Sequence, residues 1–411
     1  MRVTQISVKG LFGVFDHVIP LNLEDRITII HGPNGVGKTV LLKMIDSFFN
    51  GRYRKLHEIL FDKFLITFDD GSAIQISKTE PVPLSGTQRL KATFSNPPDK
   101  EEECILHIHD SSDRIEAKED NQNSPFAHTN SWKPEPPTWL TERRKAISTH
   151  ILDTERLLTF PQNKRNGSGA SSPAGKEESV AVKRCAINLS EKIQATLSES
   201  AQVSNSLERT FPARLVQKAF SPLSGSELRS RLKQLEQEQI RLSSLGLLTN
   251  GNRLEFESTL PIDEQNINAL SIYVQDAKQK LSVFDQLAGK LALLKRIIEQ
   301  KFLYKKLTID NKKGLVFTTA DNQVIPLTSL SSGEQHELVL LYELLFNAKA
   351  GSLILIDEPE ISLHLAWQVN FLRDLQEISK LTTLDIVIAT HSPEIIHDRW
   401  DLTVELKGPR Q

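Results

Sequence analysis

Apolar and polar positions along this chain repeat with two different periods, and the switches between them outline its organisation. RVTQISV near the start and RITII at 26–30 are β-branched runs of strand length, and the second runs into a Gly-rich stretch. TVLLKMIDSFF then carries apolar residues at helical spacing and stops at Asn50-Gly51, a pair that ends helices. FLITFDDGSAIQIS, 64–77, alternates on both sides of Asp70-Gly71, the pattern of a β-hairpin. KATFS and ECILHIH predict further strands. Residues 111–137 are polar and Pro-rich, and 161–178 have the composition of a linker.

Helical spacing returns in the middle of the chain. Leu228, Leu232, Leu235 and Leu242 form one seam, and Leu270, Val274, Ala277, Leu281, Phe284, Ala288, Leu291, Ile298 and Phe302 keep another for about four heptads. Together they predict an antiparallel helical hairpin over 226–306, whose longer arm spans roughly 60 Å at 1.5 Å per residue. A compact bundle has the same periodicity and stays open as the alternative. Strands resume at KKLTID, GLVFTTA and QVIPL, and the chain closes with apolar runs, SLILI and DIVIA, alternating with helices. That alternation predicts an α/β fold.

Composition narrows the function classes. The chain has 411 residues, 39% hydrophobic and 25% charged, enough for several domains and a substantial core. Fifty basic against 52 acidic side chains leave a formal charge of −2, so no global field holds it to nucleic acid or an anionic membrane. Its apolar stretches are too short or too charged to span a bilayer, and the N-terminus reads as a strand rather than a leader, so a cytoplasmic protein without a membrane role is expected. Cys104 and Cys185 lack metal-binding spacing and are expected to be reduced thiols. His107 and His109 share a strand face but lack a third ligand, so a structural or surface role is expected of them.

The chemistry is concentrated in four stretches. Gly32-Pro33-Asn34-Gly35-Val36-Gly37-Lys38-Thr39 fits the phosphate-binding pattern GxxxxGK[ST] between a predicted strand and a predicted helix, the context it requires. Its glycines let consecutive N–H groups point at phosphate oxygens at a helix N-terminus. Lys38 would neutralise the β- and γ-phosphates, and Thr39 would ligate Mg2+. SLILIDEPE ends a buried strand in two acids: Asp357 is placed to hold the magnesium through water, and Glu358 to take a proton from an attacking water. DIVIATHSP puts His391 in a loop at another strand's end. LSSGEQ, with Ser331, Ser332, Gly333 and Glu334 opening an amphipathic helix, offers a second phosphate-binding end.

In this order, GPNGVGKT, LSSGEQ, LILIDEP, EISLH and THS resemble the ATP-binding-cassette ATPase group. The resemblance implies a P-loop NTPase fold of that type with an inserted coiled-coil hairpin, and ATP and Mg2+ as ligands. It also implies a homo-oligomer in which Ser331 and Gly333 of one copy cap the γ-phosphate held by another, with Glu358 as catalytic base and His391 as γ-phosphate sensor. Nearly three hundred residues separate Lys38 from Ser331, which resembles the soluble SMC, RecF and OLD-like branch rather than transporter heads. ISVKGLFGVFDHVIPLN, DEPEISLHLAWQ and ATHSPEII are similar to the AAA-domain ATPases of antiphage defence systems, including OLD, Septu and PARIS. The resemblance covers about 1–75 and 300–411.

Two departures shape the expectation. About twenty residues follow His391, too few for the Toprim nuclease domain of OLD proteins, so a separately encoded effector such as a nuclease is the expected partner. A glutamine expected near HILDTERLL is replaced by Glu155, with Gln162 close by. The expected layout is an N-terminal ATPase lobe at 1–110, a variable linker-rich segment at 111–210, a helical insertion at 211–308 and a C-terminal ATPase lobe at 309–411. The rival readings are a DNA-clamping ATPase of RecF or SMC type and an assembly protein that binds ATP with little turnover. The first makes nucleic acid a partner, and it would use Arg52, Arg54 and Lys55 or Arg143, Arg144 and Lys145.

Overall fold

The computed structural model describes residues 1–79, 89–96, 101–106, 136–153, 174–216, 223–248 and 266–408. They form two compact units, Met1–Glu155 with Ala348–Gln411, and Arg156–Asn347. The first unit opens with β1 (Val3–Leu11), β2 (Phe15–Pro20), β3 (Ile27–His31), α1 (Lys38–Phe49), α2 (Tyr53–Glu58) and β4 (Lys63–Phe68). It continues through β5 (Ala73–Lys78), β6 (Leu90–Ser95), β7 (Glu102–Leu106), α3 (Thr138–Ala146) and β8 (Thr149–Asp153). The second unit holds α4 (Ala174–Val216), α5 (Gly225–Ser244), α6 (Ile267–Ser282), α7 (Asp285–Lys301), β9 (Lys306–Asp310), β10 (Gly314–Thr318), β11 (Val324–Ile325) and α8 (Ser332–Tyr342). The chain re-enters the first unit with β12 (Leu353–Asp357), α9 (Leu365–Thr382), β13 (Asp385–Ala389), α10 (Pro393–Ile396) and β14 (Thr403–Glu405).

The first unit has two sheets. One is antiparallel in the order β2-β1-β4-β5-β6-β7, and the other is parallel in the order β14-β3-β13-β12-β8. The continuous apolar runs of β12 and β13 are buried along nearly their whole length, as strands covered on both faces must be. The antiparallel strands alternate instead, and β4 pairs with β5 across Asp70-Gly71 as the sequence predicts. Helix α1 is buried around most of its circumference, because Leu41, Ile45 and Phe48 join a core with Ile6, Phe64 and Ile74 of one sheet and Leu355 and Val387 of the other.

The second unit departs from the sequence reading in three respects. Ala174–Val216 is one helix, although its start was expected to be linker and its length to 210 a variable segment. Its buried stripe, Ala181, Val182, Cys185, Ala186, Leu189 and Ile193, uses small residues among serines and charges, and the face beyond Ile193 is largely exposed, so no strong seam shows in the sequence. The expected long arm is two helices, α6 and α7, broken where Phe284 turns in to be buried and donates its N–H to Leu281 O at 3.0 Å.

The helix pairing also differs. Leu223 N–H, before α5, donates to Ser271 Oγ near the start of α6 at 3.1 Å, while Arg241 near the end of α5 feels Asp285 just past the end of α6. The two run parallel. The antiparallel partner of α6 is α4, where Arg214 makes a two-pronged ion pair with Asp276 at 2.6 and 2.7 Å and Glu208 pairs with Lys280 at 3.4 Å. A heptad stripe specifies that a face is covered and not which helix covers it or in which direction. Among the described residues no helix is long and apolar enough to cross a membrane.

Candidate functional site

The carboxyl ends of β3, β13 and β12 lie side by side in the parallel sheet, and a cleft of about 700 Å³ opens there. Its floor is the loop between β3 and α1. Gly32, Gly35 and Gly37 have φ of 152, 84 and 96°, values that favour glycine and let the backbone curl. At Gly32 a Cβ would also stand 2.5 Å from Leu406 O. No side chain caps α1, which leaves its first N–H groups for a ligand. His17 on β2, buried and stacked on Phe15, donates from Nε2 to Val36 O at 2.9 Å and so fixes the peptide entering Gly37.

Lys38 is buried at the base of this loop, with Nζ 2.9 Å from Gly32 O, 3.2 Å from Pro33 O and 3.4 Å from His391 Nδ1. Burial pushes its amine below the usual lysine value, against the pull of Glu358, Asp357 and Glu360. Thr39 Oγ1 donates to Asp357 Oδ1 at 3.0 Å, so a hydroxyl and a carboxylate, both hard oxygen donors, stand together. Such a pair fits a magnesium ion that keeps several waters and takes its remaining ligands from phosphate. Among the described residues no group of three or more His, Cys, Asp or Glu could hold a metal by itself.

Glu358 adopts a left-handed backbone, φ 43° and ψ 57°, directly before Pro359, while its N–H donates to Ala389 O at 2.8 Å. A non-glycine residue here costs on the order of 1–3 kcal/mol, a strain that gathers at functional sites. The twist leaves its carboxylate half-exposed at the cleft, 3.9 Å from His391 Nε2. Glu360 lines the same cleft, and its Oε1 accepts from Thr390 Oγ1 at 2.8 Å and His391 N at 2.7 Å.

The LSSGEQ segment belongs to the second unit. Ser331 caps α8 in a reciprocal box: its Oγ accepts from Glu334 N at 3.3 Å and its N–H donates to Glu334 Oε2 at 2.8 Å. Ser332 and Gly333 form the first turn, with Ser331 and Ser332 exposed. Glu334, expected among the nucleotide contacts, is committed elsewhere: its carboxylate is buried in the box and ion-paired with Lys305.

Asn34, Gly35, Gly37, Lys38, Thr39, Glu358 and His391 therefore line one cleft, with Gly32 and Pro33 bound to Lys38 and Asp357 to Thr39, and Ser331 to Glu334 form a helix start in the other unit. Phe12, His17 and Glu360 were not read from the sequence. Phe12 lines the cleft with an exposed ring, and nothing in its sequence context marks it. The acid two residues after Glu358 was visible as a residue but not as a contact. The basic clusters are largely engaged: Arg52 pairs with Asp46 at 2.7 Å, Arg54 with Glu58 at 3.3 Å and Arg143 with Asp70, while Arg144 donates to Tyr53 Oη at 2.8 Å and Phe49 O at 3.2 Å. Burial pushes the Cys104 thiol up to about 11 and that of Cys185 higher still. His107, His109, Glu155 and Gln162 lie outside the described residues.

The family model for the AAA ATPase domain matches residues 1–396. The chain belongs to that family. ATP binding by this ATPase domain agrees with the loop, the buried lysine and the paired threonine and aspartate described above. Its fold is that of an α/β P-loop ATPase with a long helical insertion. No curated protein matches it. Among solved structures it is similar to the Smc head domain of Pyrococcus furiosus with an extended coiled coil, bound to the C-terminal domain of ScpA, at 13% identity and a TM-score of 0.39, covering 99% of this chain and 94% of that one. The SMC head domain of Thermotoga maritima is 11% identical, with a TM-score of 0.36 and coverage of 96% and 91%. Likenesses this distant fix neither partner nor assembly.

Proposed function

We propose that this ATPase domain is an ATP-driven switch in which two copies close around nucleotide and hydrolysis releases them. The observation that carries the reading is the cleft itself, where the Thr39–Asp357 pair, buried Lys38 and strained Glu358 converge on one loop of curled backbone. Lys38 and the N–H groups of the loop hold the β- and γ-phosphates, and Thr39 with Asp357 holds magnesium. Magnesium supplies charge neutralisation along the phosphate chain. Glu358 takes the proton of the attacking water, and His391, between Lys38 and Glu358, senses the γ-phosphate.

The cap comes from another copy. Ser331 Oγ already accepts from Glu334 N, so its own hydrogen remains to be donated to a phosphate oxygen, and Gly333 adds backbone N–H at a helix N-terminus. Lys305 offsets the charge of Glu334, which would otherwise repel the phosphate. Glu358→Gln with ATP is expected to associate into a dimer or larger assembly by light scattering, and Lys38→Ala is not. An unchanged mass for Glu358→Gln refutes the sandwich.

The output is conformational. By its resemblance to antiphage ATPases, the switch serves in the cytoplasm as the sensor or scaffold of a defence system and licenses a separately encoded effector such as a nuclease. The rival, a DNA clamp, would draw on Lys55 and Lys145 and on arginines that hold Asp46, Glu58, Asp70 and Tyr53. Phage plating on cells carrying the gene with its neighbours tests the role: protection that survives Lys38→Ala, or salt-sensitive DNA binding that strengthens with ATP, counts against it.

A further inference from the structure

We propose that Glu360 is a positioning residue that latches the loop carrying His391 to the loop carrying Glu358. The proposal rests on the ATPase reading for its effect on turnover, but the latch itself is geometric. One carboxylate oxygen, Oε1, collects both the Thr390 hydroxyl and the His391 N–H, at 2.8 and 2.7 Å. Such charge-assisted bonds are roughly twice as strong as neutral ones. Thr390 is fully buried, its N–H donates to Ile30 O at 3.1 Å, and its Oγ1 also accepts from Ser392 N at 3.0 Å. The latch is thereby tied to the end of β3, where the phosphate loop begins.

A second bridge runs beside it. Gln368 on α9 donates to Glu360 O at 3.3 Å and Leu363 O at 3.2 Å, and accepts from Ser392 Oγ at 3.0 Å. The two loops are thus held together from both sides of Glu360, and the His391 ring is delivered to within 3.4 Å of Lys38 and 3.9 Å of Glu358. The other oxygen of Glu360, Oε2, is buried. Ile361, on the same loop, and Leu365, at the start of α9, are exposed.

The test uses the full chain with Glu360→Ala, Glu360→Gln, His391→Ala and the double variant. Glu360→Ala is expected to lower kcat by about 10- to 100-fold, the scale for a displaced group, with KM for ATP within about threefold. Glu360→Gln, which keeps an acceptor oxygen, is expected to recover most of the rate. The double variant is expected to be no slower than His391→Ala alone, since residues that act as a unit are not additive. Losses that multiply in the double variant overturn the proposal. Hydrogen exchange at the peptide containing His391 supplies a readout without turnover: it is expected to quicken at least about tenfold in Glu360→Ala and not in Glu360→Gln. Unchanged exchange removes the latch. Equal turnover by the wild type and Lys38→Ala removes the ATPase reading instead, and the exchange result still decides the latch.

Discussion

The three glycines of the phosphate loop are not equivalent, and replacing each by alanine ranks the forces that shape it. At Gly35, φ 84°, an added Cβ meets nothing within 4 Å, so the cost is the left-handed backbone alone, about 1–2 kcal/mol. At Gly37, φ 96°, the methyl would come within 2.5 Å of Leu11 Cδ2, the end of a side chain that can rotate, which raises the cost to about 2–3 kcal/mol. At Gly32, φ 152°, the obstacle is Leu406 O at 2.5 Å, a backbone atom. Leu406 cannot step aside, because its own N–H donates to His31 O at 2.8 Å and continues the pairing of β14 with β3. Backbone strain and overpacking together cost about 3–5 kcal/mol. For a unit of about 200 residues each kcal/mol lowers Tm by about 2–4 °C. Melting without nucleotide should therefore fall by about 3–5 °C in Gly35→Ala and by about 10 °C or more in Gly32→Ala, with Gly37→Ala between. Gly35→Ala melting as low as Gly32→Ala, or Gly32→Ala within about 2 °C of the wild type, would refute the reasoning.

Other consequences follow from single contacts. Asp357→Asn should raise the magnesium concentration needed for half-maximal turnover at least about tenfold while leaving Tm unchanged or higher, since a buried carboxylate is removed; an unchanged magnesium titration excludes Asp357 as the metal's partner. In the second unit, Glu337 and Lys301 form a buried ion pair between α8 and α7, and Glu337→Ala should cost about 3–5 kcal/mol in urea unfolding, whereas the joint change to Leu and Met should come close to neutral. Asp70 is held down to about 2: burial works to raise it, but hydrogen bonds from Ser72 and Arg143 outweigh that. A depressed carboxylate contributes stability that is present above about pH 4 and is lost as pH falls towards 2. The pair is partly exposed, so the contribution is under about 1 kcal/mol, and Arg143→Ala should remove part of this acid-linked loss while the bonds from Ser72 keep the rest.

How legible each part was depends on how far apart in the chain its contacts lie. The phosphate loop was readable because eight consecutive residues carry its chemistry, and β3, β12 and β13 because buried parallel strands must be apolar throughout. Asp357 and Glu358 were placed by the strand that ends at them. His17 and Glu360 were not, since each acts on a partner elsewhere in the chain, His17 on Val36 and Glu360 on Thr390, with nothing in their own neighbourhoods to announce it. The arginines show the converse. Arg143 and Arg144 look like a basic patch in sequence, yet one is spent on Asp70 and the other on Tyr53 and a helix-end carbonyl.

The helical insertion marks where periodicity stops informing. The seams at Leu228, Leu235 and Leu242 and at Val274, Ala277 and Leu281 were read correctly as buried faces. Two apolar faces close in sequence invite the inference of a hairpin, but α5 and α6 run parallel, and α6 takes its antiparallel partner from the part of α4 beyond Ile193, where that helix is largely polar and exposed. What sets that pairing is polar. Arg214 and Asp276 meet in a two-pronged bond that only one register allows, and Glu208 to Lys280 repeats the same direction six and four residues away. Removing the first pair with Arg214→Ala should therefore loosen the register of α4 on α6 rather than unfold either helix, seen as faster hydrogen exchange confined to 208–216 and 273–280. Protection unchanged there would mean that this ion pair does not fix the pairing.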